Sequence, residues 1–143
     1  MLSSIPILVV SGEPSHRDML AASISSFGPR PICCGSYEGA AELLRQRPFS
    51  IVFCDDLLPD GTFQTVMDCA ARRGVPIQVI VTSRRDDWGL YLKALNAGAF
   101  DFIALPSLPG EVERVVYAAL GECRVSPGVV AQTRQGSISQ TVA

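Results

Sequence analysis

Two adjacent carboxylates, Asp55 and Asp56, close the apolar run "SIVF". A strand buried on both faces ends in turn residues, one of which is aimed into the crevice above the sheet, so an acid at this place is a candidate for ligand or acceptor chemistry. The plainer role, capping a loop or the next helix, is equally open to it. Three other apolar runs end in residues that could share the crevice: Ser11, Gly12 and Glu13 after "ILVV", Thr82 and Ser83 after "IQVIV", and Leu105 and Pro106 after "DFIA". Cys54 lies beside Asp55, with no base or cation spaced to generate its thiolate. The five cysteines form an odd set without zinc-like spacing, and are expected to be reduced, small, buried hydrophobes. His16 has no partner at metal-binding spacing and reads as a surface side chain near the start of a helix.

These residues need a scaffold that brings strand ends together. The strand candidates are "IPILVV", "RPICC", "SIVFCD", "IQVIVTS" and "DFIAL", rich in Ile and Val and bounded by Gly, Pro or polar residues. Amphipathic helical segments alternate with them. The first opens at Pro14 and stops before Gly28 and Pro29; the second has Ser36 as its N-cap and ends before Pro48. A third follows "PDG" and closes at Gly74, and a fourth starts at Asp86 and Asp87 and finishes at Gly98. The fifth, "LPGEVERVVYAALGE", buries Val112, Val115, Val116, Ala119 and Leu120. Strand–helix alternation of this kind predicts an α/β fold, a doubly wound parallel sheet covered on both faces. Ligands of such sheets sit beyond the carboxyl ends of the strands.

The composition narrows the function. With 143 residues the chain has the length of one domain, and its net charge of −2 without a run of like charges lacks the footprint of direct nucleic-acid binding. No apolar run is long enough to span a bilayer and no leader pattern opens the chain, so a cytoplasmic protein without a membrane partner is expected. From residue 122 to 143 the sequence loses usable periodicity, which reads as a C-terminal tail or truncated linker after a domain of residues 1–121. There is neither a glycine-rich phosphate loop nor a nucleophile elbow, which weighs against a small ligand-binding or enzymatic α/β domain of another kind.

In order and spacing, "ILVVSGEP", "GSYEGAAELLRQRPFSIVFCDDLLPDGTF", "VIVTS" and "ALNAGAFDFIALP" resemble the receiver domain of bacterial two-component response regulators. The likeness runs from about Ile5 to Gly121. It implies a flavodoxin-like five-stranded parallel sheet of order 2-1-3-4-5 with five helices, and a non-enzymatic signalling module of a phosphorelay. Asp55 falls on the phosphoacceptor and Thr82 on the hydroxyl that binds a phosphoryl oxygen and moves on activation. Phe102 falls on the aromatic switch position. The implied partners are a sensor histidine kinase or another signalling protein, and a second copy bound through the fourth helix, fifth strand and fifth helix, where Leu90, Tyr91, Phe102 and Tyr117 would offer an apolar patch.

The chain departs from that pattern where charge is handled. The two metal-binding acids after the first strand are Ser11 and Gly12, and the lysine of the last strand is Leu105, although Pro106 is kept. A Mg2+ ion would have to be held by Glu13, Asp55 and the backbone carbonyl of Leu57. The cations left nearby are Arg84 and Arg85, which read as solvated loop residues. Asp55 tolerates an apolar Leu105 nearby if it is solvent-accessible, since an uncompensated buried charge costs several kcal/mol. Two readings follow: a response regulator with a degenerate metal and lysine site, or a pseudo-receiver that signals by protein contact without phosphate.

Overall fold

A computed structural model describes residues 2–122. The chain forms β1 (Ile7–Val10), α1 (Pro14–Ser25), β2 (Ile32–Cys34), α2 (Tyr37–Gln46) and β3 (Ile51–Asp55). There follow β4 (Leu57–Leu58), β5 (Gly61–Thr62), α3 (Phe63–Ala71), β6 (Gln78–Ser83), α4 (Trp88–Asn96), β7 (Asp101–Ala104) and α5 (Glu111–Glu122). The main sheet is parallel throughout, in the order β2-β1-β3-β6-β7. Leaving out the small β4–β5 hairpin, this is the expected 2-1-3-4-5 arrangement with its five helices.

The continuous apolar runs are split by strand alternation into two cores. Leu8 and Val10, Val52 and Cys54, and Val79 and Val81 face α2, α3 and α4, where they meet Leu44, Val66 and Ala94. Ile7 and Val9, Ile51 and Phe53, and Ile80 and Ile103 face α1 and α5, where they meet Leu20, Ile24, Val112 and Val116. Three helix starts are fixed by side chains: at Ser36 as the sequence predicts, at Asp87, which is the N-cap of α4 rather than part of its first turn, and at Thr62. Ser36 accepts from the Gly39 N–H at 3.0 Å, and Asp87 accepts from the N–H groups of Gly89 and Leu90 at 2.8 and 3.3 Å. Thr62 and Thr65 form a reciprocal cap at α3.

The β4–β5 hairpin falls within "LLPDGT", a stretch the sequence presents as a turn. It is tied to α2 by Asp60, whose carboxylate accepts from the N–H groups of Tyr37 and Glu38 at 2.7 and 3.0 Å. These bonds, that from Glu38 first, hold the exposed Asp60 carboxyl below its ordinary value. No described helix is long and apolar enough to cross a membrane. The expected tail, 122–143, lies outside the described residues except for Glu122 at the end of α5.

Candidate functional site

Register brings the candidate residues together. Val10 is level with Cys54, which places the next residue, Ser11, beside Asp55, and Asp55 is itself paired with Thr82. All three share the side-chain parity of Val9, Phe53 and Ile80, so they cap the core layer under α1 and α5. Leu105 belongs to that same layer. The strand ends are held by backbone bonds from Ser11 N–H to the Cys34 carbonyl at 3.0 Å and from Asp56 N–H to the Thr82 carbonyl at 2.9 Å. Leu105 N–H donates to the Ser83 carbonyl at 2.7 Å, and the Leu105–Pro106 peptide is cis.

Asp55 is not an accessible side chain: it is 6% exposed, and Ser11 and Thr82 are fully buried. Ser11 Oγ donates to Asp55 Oδ2 at 2.5 Å and Thr82 Oγ1 donates to Oδ1 at 2.6 Å. Two charge-assisted hydrogen bonds therefore do the work that a cation would do for a buried carboxylate. Ser11 is itself positioned from both sides. Its Oγ accepts from the Glu13 N–H at 3.1 Å, and its carbonyl accepts from Arg17 Nη1 at 2.7 Å.

His16, expected at the surface, turns inward instead. Its side chain is 12% exposed, and its Nδ1 is buried 3.5 Å from Asp55 Oδ2 without a hydrogen-bond partner. The signal was present in the sequence, because His16 stands four residues before the buried Leu20 and shares its helical stripe. Arg17 carried no such signal, since its bond goes to a backbone carbonyl.

Above Asp55 lies an open cleft of about 440 Å³ whose lining includes Glu13, His16, Asp56, Leu57, Arg84 and Arg85. The arginines are exposed, as expected, but each faces an acid at the rim. Arg84 stands 3.9 Å from Glu13, and Arg85 stands 3.2 Å from Asp56. Lys93, the chain's one lysine, lies elsewhere, with Gln64 and Asn96 around a separate depression.

The donor set does not fit a magnesium ion. That ion takes six oxygens in a tight octahedron, whereas both Asp55 oxygens here face hydroxyl donors and the Glu13 carboxylate faces Arg84. Among the described residues no group of three or more His, Cys, Asp or Glu side chains is arranged to hold a metal. Glu13, Asp55 and Leu57 do line one cleft, but they do not form a coordination sphere.

Two further expectations change. Cys54 and Cys69 are buried, but Cys33 is exposed on the edge strand β2; Cys123 lies outside the described residues. Burial pushes the Cys54 thiol well up, with Asp55 adding to the effect, and burial also raises Cys33 and Cys34. None of these three is therefore poised as a thiolate. Of the expected apolar patch, Leu90 is core at 8% exposure, Tyr91 and Phe102 are half-buried and Tyr117 is exposed; Trp88 and Leu92, outside that expectation, are exposed as well. Trp88 stacks on Tyr91 at 5.0 Å, and Tyr91 meets the half-buried Phe102 edge-on at 6.0 Å.

No family model matches the chain. It is 28% identical over 113 residues to the response regulator protein PilR of Pseudomonas aeruginosa, a match that covers 79% of this chain and 25% of PilR. The chain thus spans about a quarter of that relative's length. The fold superposes on the signal receiver domain of a putative LuxO repressor protein from Vibrio parahaemolyticus with a TM-score of 0.75 at 18% identity, covering 82% of this chain and 91% of that one. It also matches a two-component response regulator from Clostridium difficile with a TM-score of 0.76 at 19% identity, covering 85% and 100% of the two chains. By sequence the chain is similar to response regulators, and its fold is that of their receiver domains.

Proposed function

We propose that this receiver domain works in two-component signalling as a pseudo-receiver: it transmits through protein contacts while Asp55 stays in its hydroxyl-bonded state rather than being phosphorylated. The observation that carries this reading is the pair of bonds from Ser11 and Thr82, which engage both oxygens of a buried Asp55. Phosphoryl transfer to a carboxylate needs one oxygen free to attack and positive charge at the transferring oxygens. Here each oxygen already accepts from a buried hydroxyl, which lowers its readiness to attack. The lysine position is the buried Leu105, and the guanidinium groups that line the cleft, Arg84 and Arg85, face Glu13 and Asp56 at its rim.

The partner would be a sensor histidine kinase, another signalling protein or a second copy. The exposed Trp88 and Leu92 of α4 favour a surface beside α4 and β7, whereas Tyr117 of α5 lies against Phe27 with its ring centroid 6.4 Å away. In the receiver fold Thr82 and Phe102 are the switch positions. Here Thr82 is held by Asp55, and Phe102 rests against Tyr91. A cytoplasmic, non-enzymatic module is consistent with this role.

Incubation with acetyl phosphate and magnesium, followed by intact-mass measurement and amide spectra, tests the reading. No mass increase and an unchanged spectrum are expected. Stoichiometric labelling that Asp55→Asn abolishes would establish Asp55 as a working phosphoacceptor and overturn the proposal.

A further inference from the structure

We propose that the end of β1 is built to refuse a divalent cation, and that Ser11 is the residue that decides the refusal. The inference rests on the reading of Asp55 as latched, and concerns what its cleft accepts. The Ser11 hydroxyl is committed at both ends: its proton goes to Asp55 Oδ2 at 2.5 Å, and its oxygen receives the Glu13 N–H at 3.1 Å. One of its two lone pairs is taken by that N–H, so a cation would find here a single neutral ligand atom in place of a carboxylate. Arg17, bonded to the Ser11 carbonyl, keeps the residue from swinging away.

The neighbouring position is crowded by packing. A Cβ on Gly12 would stand 3.0 Å from Pro59 Cδ and 3.2 Å from Pro59 Cγ, so a side chain there needs the Pro59 ring to give by a few tenths of an ångström. The two positions therefore differ in kind. A carboxylate at 11 would place two acids where an O–H···O bond now runs, and a buried pair of like charges is relieved either by a shared proton or by a positive partner, which millimolar divalent cation supplies. Ser11→Asp alone should turn a cation-refusing site into a cation-requiring one. Gly12→Asp should not.

The test uses the full chain and reads binding rather than activity. Melting curves are recorded for the wild type, Ser11→Asp, Ser11→Asn, Gly12→Asp and the double variant Ser11→Asp with Asp55→Asn, each in chelator and in millimolar Mg2+ or Mn2+. The wild type and Ser11→Asn should melt at one temperature in all three conditions. Ser11→Asp should melt lower in chelator and recover saturably with either ion, and the recovery should vanish in the double variant. Gly12→Asp should melt lower and stay there.

Amide spectra of the wild type with Mn2+ provide a readout that needs no variant to fold. Signals around Asp55 should keep their line widths. Saturable broadening confined to Asp55 and its neighbours, or a folded Ser11→Asp chain indifferent to both ions, would overturn the proposal. Acetyl-phosphate labelling is scored separately. Metal binding without labelling sinks this inference and leaves the proposed function standing, and labelling without metal binding does the reverse.

Discussion

Ser11→Ala removes one oxygen and one proton from the centre of the fold. The hydroxyl is fully buried and donates to the Asp55 carboxylate at 2.5 Å, and a hydrogen bond to a charged group contributes about 1.5–3 kcal/mol. The lower half of that range is expected, because His16 Nδ1 stands 3.5 Å from the same Asp55 oxygen without a partner and can close on it. A loss of about 1.5–2 kcal/mol corresponds to a melting temperature lowered by roughly 5–10 °C in a domain of this size. Urea and thermal unfolding would measure it. Repeating the substitution in an Asp55→Asn background completes a double-mutant cycle, with an expected coupling of about 1 kcal/mol or more between the two positions. A Ser11→Ala chain within about 0.5 kcal/mol of the wild type would refute the latch, since that is the usual effect of surface changes remote from such features. An equal loss in both backgrounds would refute it too.

Leu90→Ala should destabilise by about 2–4 kcal/mol in chemical denaturation, as core truncations do, whereas the exposed Trp88→Ala should cost less than about 1 kcal/mol. Gly12→Ala should cost about 1 kcal/mol by crowding Pro59, and a Pro59→Ala change in the same chain should relieve most of that. Asp60→Ala should lower stability at neutral pH by uncapping α2 from the hairpin. The Asp60 carboxyl is held below its ordinary value, so its contribution is complete above that value and fades as pH falls through the lowered one. Unfolding curves of Asp60→Ala and the wild type should therefore converge in acid, and a constant difference across the acid range would argue against the cap.

The strands were legible because each buried run is continuous and rich in Ile and Val, and Ser36 and Asp87 marked helix starts through their own chemistry. Asp55 was legible as the end of such a run. Its surroundings were not, because they depend on distances between strand ends. Ser11 looked like a missing acid, and only the register of β1 against β3 turns it into a donor. His16 was misplaced because its residue type outweighed its helical phase with Leu20. Cys33 and Leu90 exchanged their expected places for a similar reason: residue type suggested burial for Cys33, but β2 is an edge strand, while Leu90 lies on the inner face of α4. The β4–β5 hairpin escaped notice because a pair of two-residue strands has no period to detect.

The aromatic chain that runs from α4 to β7 makes the protein its own optical instrument. The sequence contains one tryptophan, and Trp88 lies face to face with Tyr91, which in turn abuts Phe102 of β7. Emission excited at the red edge therefore reports a single indole at the start of α4, half in water and half on a ring that touches the sheet edge. A protein docking over this face would shift that emission toward the blue, and a rearrangement of Phe102 would reach the indole through Tyr91, so partners can be screened on the unlabelled chain.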